Sequence, residues 1–185
     1  MGEILIVLHI KIFTICIYNV QCYHFWRSLL QGLLKEMEKS LIPLFHAKCY
    51  IKNNCIFIEI EKEHYISIAK YLKNQGFKRL LTVSAIDWID EEKFEIYFIA
   101  HNPDKGLYAK VSTKIPRNNP IIPSLSLVWE NSLMHERETW ELFGVTFTGN
   151  DSLKPLFLED WNGPPPFRKD FNWREYVKEK GELYD

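Results

Sequence analysis

Glycine is scarce in this chain, 8 in 185 residues, and none of the glycine-built phosphate or nucleophile loops occurs. There is no GxGxxG, no Walker loop and no GxSxG, so the commonest nucleotide-binding and hydrolase architectures are excluded. A basic excess is also missing. Lys and Arg number 23 against 24 Asp and Glu, for a net charge of −1, and no Lys/Arg stripe stands out, which argues against a nucleic-acid partner. The 4 cysteines, Cys16, Cys22, Cys49 and Cys55, form two pairs with a spacing unlike zinc-knuckle or iron–sulfur ligand runs. They read as small thiols in a reducing compartment, with Cys49 and Cys55 placed to face each other across a hairpin. A long hydrophobic run is wanting too. "ILIVLHIKIFTICIYNV" (4–20) is interrupted by His9 and Lys11 and falls short of the ~20 apolar residues of a membrane span. It also lacks the basic start and cleavage site of a secretory signal. Three readings remain for it: an amphipathic membrane-surface segment, an extra strand, or translated sequence upstream of the true start. The last is favoured, since Met37 opens "MEKSLIPLF" like an ordinary soluble N-terminus. Residues 1–36 are accordingly set apart as an extension, dispensable to the domain that follows.

What is present is ordinary in bulk: 46% hydrophobic, 25% charged, and a generous 15% aromatic, enough for one folded domain with an appendage. From 45 to 115 the pattern is legible. "FHAKCYI" and "CIFIEIE" flank Asn53-Asn54 and predict a hairpin. "EHYISIAKYLKNQG" switches to helical spacing, with Tyr65, Ile68, Ala69 and Leu72 on one face and Gly76 as the stop. "FKRLLTVSAIDWI", "FEIYFIAHN" and "LYAKVSTKI" alternate, joined by the turns "DEEK" and "PDKG", and predict a three-stranded antiparallel meander. Hairpin, helix and meander make an α+β fold: a two-layer domain (37–148) with an antiparallel sheet and packed helices, followed by an extended C-terminal tail (149–185).

After the proline-broken "PRNNPIIP", a second helix is expected from Ser124, as cap, to Phe143, ended by Gly144. It contains "HERETWELFG". Trp129, Leu133, Trp140 and Phe143 share a face that reads as core, with Glu136, Arg137, Glu138 and Glu141 opposite; Arg137 and Glu141 lie one turn apart and can pair. "HERET" misses the zinc motif HExxH because Thr139 replaces the second histidine. A stand-alone metalloenzyme using His135, Glu136 and Glu138 is thus the weaker reading. The tail "PLFLEDWNGPPPFRKDFNWREYVKEKGELYD" combines polyproline with spaced aromatics: Phe157, Trp161, Phe167, Phe171, Trp173, Tyr176 and Tyr184. Disordered tails are poor in aromatics, so this one reads as chain laid along another subunit, or, more blandly, wrapped on its own domain.

"ERETWELFGVTFTGNDSL", "EDW" and "PPPFRKDF" together resemble the signature of the 30-kDa (C) subunit family of respiratory complex I. That family includes the matching subunits of membrane-bound energy-converting nickel–iron hydrogenases and related archaeal complexes. The resemblance spans about residues 80 to 173. Two departures are Asn150, where many members have His, and Pro166-Phe167 in place of Pro-Leu. "PPPFRKDFNWREYV" looks most like the archaeal branch of membrane-bound hydrogenases and sulfane sulfur reductase. The resemblance implies a subunit without cofactor or metal, packed against a hydrogenase-like large subunit near the iron–sulfur subunits. It would lie on the cytoplasmic face and touch the membrane only through the complex. The interface residues it points to are Glu136, Arg137, Glu138, Trp140, Glu141, Gly144, Trp161, Phe167, Arg168, Lys169, Asp170 and Phe171, with the charges forming an ion-paired rim.

Overall fold

The computed structural model describes residues 20–158 and 160–180, with side chains described from Arg27. Elements run α1 (Val20–Phe45), β1 (Lys48–Lys52), β2 (Cys55–Glu59), α2 (Tyr65–Asn74), β3 (Arg79–Trp88), β4 (Lys93–Asn102) and β5 (Leu107–Pro116). After them come β6 (Ile121–Pro123), α3 (Ser132–Phe143), β7 (Thr146–Thr148) and α4 (Trp173–Lys180). The fold is α+β, with one face of a five-stranded sheet buried under helices.

The predicted hairpin forms, with Lys52 opposite Cys55 and Asn53 at φ 57° in the two-residue turn. Asn tolerates that left-handed conformation better than most residues. The predicted helix buries Tyr65, Ile68, Ala69 and Leu72, and Gly76 at φ 89° ends it. The meander β3–β4–β5 is antiparallel throughout. The hairpin, however, joins the meander through β2 parallel to β5, for a strand order β1-β2-β5-β4-β3. The sheet is therefore mixed, not purely antiparallel. The reason is the crossover: α2 intervenes between β2 and β3, and a helical connection permits a parallel neighbour where a tight turn does not. A small parallel pair, β6–β7, lies outside the main sheet.

Because strand side chains alternate, one face collects Ile56, Ile58, Val83, Ala85, Phe94, Ile96, Phe98, Ala109, Val111 and Ile115, all buried. Against it pack Leu34 and Leu41 of α1, Tyr65, Ile68 and Leu72 of α2, and Trp129. Trp129 also donates its indole N–H to the Phe77 carbonyl at 3.1 Å. Helix α1 passes Met37 without a break, and Leu34, three residues before it, is fully enclosed. Segment 1–19 lies outside the described residues, as do Cys16 and the side chain of Cys22. Among the described residues no helix is long and apolar enough to cross a membrane. Cys49 and Cys55 do not face each other. Cys49 stands opposite Ile58 on the helix-covered side, Cys55 opposite Lys52 on the other, and burial pushes the Cys49 thiol up to about 11.

Candidate docking site

The helix carrying "HERETWELF" begins later than its sequence suggests. Ser124 precedes a series of turns, and α3 starts at Ser132. Trp129 is buried and Trp140 and Phe143 pack against the core as expected, but Glu136 and Glu141, expected on the opposite face, are enclosed as well. The enclosed residues are Ser132, Glu136, Thr139 and Glu141, while Trp140 and Phe143 are half-buried. Each buried polar side chain but one has a task. Glu136, fully enclosed, accepts hydrogen bonds from the Leu125 N–H (2.7 Å), the Ser124 hydroxyl (2.7 Å) and the Asn150 amide (2.9 Å). It is thus an internal clasp between the helix and the chain before and after it, not part of an interface rim or an open metal ligand. The Thr139 hydroxyl lies 2.8 Å from the His135 carbonyl one turn back and 3.1 Å from the Val83 carbonyl, and Asn131 donates to the Leu80 carbonyl at 2.9 Å. The start of the helix thereby covers part of edge strand β3, whose unpaired backbone would otherwise be a template for aggregation. Ser132 Oγ has no protein partner.

Beyond α3 the chain doubles back as a strap. Glu141 sits in a cradle of backbone N–H groups, from Leu156 (3.0 Å), Phe157 (2.9 Å) and Leu158 (2.9 Å). Burial works against its charge, but these three donors, with Arg137 nearby, hold its carboxyl below the usual range. Arg137 itself turns to the Lys154 and Pro155 carbonyls at 3.3 and 2.9 Å. The expected Arg137–Glu141 pair is replaced by two grips on the strap. Gly144, at φ 76°, ends α3 as expected and is also a close approach: a Cβ there would lie 2.9 Å from the Pro165 ring. Phe167 donates its N–H to the Leu142 carbonyl at 2.9 Å, and its ring meets Phe143 edge-on.

The strap's last grip is electrostatic. Asp87 at the end of β3 binds Arg117 through both oxygens, at 2.8 and 3.0 Å, and Asp170 meets the same guanidinium at 2.6 and 3.0 Å. Asp87 also accepts the Lys169 N–H at 2.8 Å. Arg117 and Arg168 both lie over the Phe94 ring, at 5.7 and 5.5 Å. Burial disfavours the Asp87 charge, but Arg117 and the Lys169 N–H outweigh it and lower its pKa. Arg117, with Arg168 in support, holds Asp170 at about 2, and Arg117 is shifted upward in return. Asp87 and Arg117 escaped the sequence reading. A signal was available for Asp87, which falls at an inward position of the alternating strand β3, where an unpaired charge is intolerable and a partner is therefore implied; Arg117 lies just past the end of β5 and carried no such signal.

Farther along, Trp161, Phe171 and Tyr176 form a small aromatic knot with centroids 5.1 to 5.8 Å apart. The tail thus wraps its own domain at several places. Its outward rings are Phe157, Phe167 and Trp173, 62%, 57% and 61% exposed. Of the expected rim charges only Arg168 and Asp170 enter ion pairs among the described residues; Glu136, Arg137 and Glu141 bond to neutral groups instead. His135, Glu136 and Glu138 do not converge, and no group of three or more metal-ligating side chains occurs among the described residues.

The domain is thus latched internally, with Glu136 and Glu141 spent on structure and Phe157, Phe167 and Trp173 turned outward. Residues 58–177 match the family described as the respiratory-chain NADH dehydrogenase 30 Kd subunit, and the chain belongs to that family. Among its relatives, a subunit of the F(420)H(2) dehydrogenase of Methanosarcina mazei is 32% identical over 114 residues, covering 60% of this chain and 72% of the relative. The corresponding subunit of the NADH-quinone oxidoreductase of Roseiflexus sp. is 31% identical over 120 residues, covering 61% and 67%. Among solved structures, a chain of the membrane-bound sulfane sulfur reductase, an archaeal respiratory membrane complex, superposes with a TM-score of 0.73 at 25% identity. That match covers 82% of this chain and 92% of the other.

Proposed function

We propose that this protein is a cofactor-free docking subunit in the hydrophilic arm of a membrane-bound oxidoreductase complex. It supports a hydrogenase-like large subunit beside the iron–sulfur subunits, on the cytoplasmic side. The complex, not this chain, carries electron transfer coupled to ion translocation. The observation that carries the reading is the strap. The family match runs to its end, and it turns three large rings outward while every charge pair beneath them is closed within the chain. Glu136, Glu141, Gly144 and Asp170 then serve the interface indirectly, by holding the strap in shape. Trp161, Phe167, Lys169 and Glu138 belong to the contact surface itself.

A hydrogenase or sulfane sulfur reductase type is favoured by the likeness to the archaeal complex over 82% of the chain. A quinone-reducing complex is the second reading, favoured by the relatives that belong to NADH-quinone oxidoreductases.

The test is purification of the intact complex through a tag on this chain, with wild type beside Phe157→Ser and Trp173→Ser. Both rings are mostly exposed, so the isolated variants should melt with the wild type while retention of the large subunit falls. Activity should decline in proportion to the subunit lost. Stoichiometric assembly with turnover abolished would overturn the reading. Nickel-ligating CxxC pairs in the copurifying large subunit would separate the hydrogenase type from the alternative.

A further inference from the structure

The sheet has a second face, and each described helix that packs on the sheet lies on the other one. The registers lay its side chains out as a grid. One row runs Tyr50, Phe57, Lys110, Ile99 across β1, β2, β5 and β4; the next runs Lys52, Cys55, Tyr108, His101, Arg79. On the other side of the first row stand Lys48, Glu59, Ser112 and Tyr97, then Lys114, Glu95 and Ile86, and finally Lys93 beside Trp88. A solvent-facing sheet surface is normally polar at these positions. Here Tyr50, Phe57, Tyr97, Ile99 and Tyr108 stand among Lys110, Ser112, Thr82 and Ser84. Tyr50 stacks on Phe57 with planes 3° apart, and His101 on Tyr108 at 23°. Lys110 lies 4.7 Å over the Tyr97 ring and Lys114 5.5 Å over Trp88.

The charges on this face are unbalanced. Lys48, Lys52, Arg79, Lys93, Lys110 and Lys114 oppose only Glu59 and Glu95, an excess of four positive charges on a chain whose total is −1. Glu91 reaches in from the turn after β3 to pair with Lys114 at 2.6 Å, which still leaves an excess of three.

We propose that this open sheet face is a second docking surface, and that its occupant is a flat patch of a neighbouring subunit, apolar at its centre and rimmed with Asp and Glu. The identity of that neighbour as a member of the same complex rests on the function proposed above. Charge and size select among occupants. A second copy of the same face would bring two basic rims together. With strands about 4.8 Å apart, rows about 6.7 Å apart, and β1 and β2 filling only part of the grid, the footprint is roughly 700 Å². That is below the ~800 Å² per partner of a self-sufficient interface, and suits a contact inside an assembly already held by the strap.

The experiment is hydroxyl-radical footprinting of Tyr50, Trp88, Tyr97 and Tyr108 in the isolated chain and in the complex purified from native membranes. These rings should react at least about fivefold more slowly in the complex. The double variant Lys48→Glu with Lys52→Glu, two exposed side chains without ion pairs, should lose that protection and dissociate about tenfold faster. A complex in which Phe157 and Trp173 are protected but the sheet rings are not would overturn this inference and leave the subunit reading standing. Failure to find the chain in any complex would overturn both. Equal protection in the isolated chain would assign the face to the chain's own residues. Protection by phosphatidylglycerol vesicles alone would assign it to lipid. Either result overturns the proposed occupant.

Discussion

Replacing Asp87 by Asn is the sharpest probe of the strap's attachment. The substitution keeps the shape but turns one oxygen into an N–H donor, while every neighbour is also a donor: Arg117 Nε, Arg117 Nη2 and the Lys169 N–H. At best two of the three bonds survive. The pair is well shielded, with side chains 2% and 7% exposed, and removing one partner of such a pair costs about 3–5 kcal/mol. Arg117 keeps Asp170, which offsets part of this, and the loss should be ~3 kcal/mol. Asp170→Asn attacks the same cation from the solvent side, where the carboxylate is 46% exposed, and should cost only ~1 kcal/mol. Urea unfolding of the isolated chain followed by tryptophan fluorescence gives both numbers, and amide exchange at Lys169 reports the latch directly. The double replacement Asp87→Leu with Arg117→Met should cost much less than the sum of its parts, since no charge is left stranded. The reasoning is refuted if Asp87→Asn lies within ~0.5 kcal/mol of wild type, or costs less than Asp170→Asn.

Three further outcomes are expected. Glu141→Gln loses the charge that gathers three N–H groups; it should destabilise the chain by ~1–2 kcal/mol and speed amide exchange at Leu156, Phe157 and Leu158 above all. Asp170 has a folded pKa of about 2 against an ordinary 3.8. Its contribution is therefore present above pH ~4 and is lost as pH falls toward about 2. For a carboxylate this exposed the loss is ~1 kcal/mol, visible as exchange at Phe171 rising in that window and absent in Asp170→Asn. Leu34→Ala should cost ~2–4 kcal/mol by urea melts, because a fully enclosed leucine leaves a cavity; a cost near zero would support treating the residues before Met37 as dispensable.

Period-two alternation made β3, β4 and β5 legible, and Asn53-Asn54 and Gly76 marked a turn and a helix stop whose conformations demand such residues. What stayed hidden depended on long-range geometry. The parallel pairing of β2 with β5 follows from where a crossover lands, which no local pattern encodes. The enclosed carboxylates of α3 were missed for a chemical reason. Hydrophobic spacing takes Trp140 and Phe143 as inward and Glu136 as outward, yet Glu136 is enclosed because donors from residues 124, 125 and 150 converge on it. Likewise the spacing of "FRKDF" carried no hint that Asp170 belongs with Arg117, 53 residues earlier. Of the residues expected at the interface, Glu138, Lys169 and Phe167 remain outward, while Glu136, Glu141 and Asp170 were recognised as important without their role being visible.

The strap also sets an order of events during synthesis. Its final bond joins Lys169 to Asp87 across 82 residues, and the sheet that supplies Asp87 and Arg117 is translated long before residue 170 leaves the ribosome. Until then Arg117 has only one of its two carboxylates, and the Asp87 oxygen meant for the Lys169 N–H waits unfilled. A chain that stops short of Lys169 can build the sheet but cannot close the latch, and it lacks Trp173 altogether. The strap is thereby fixed in place only after its latch residues have emerged.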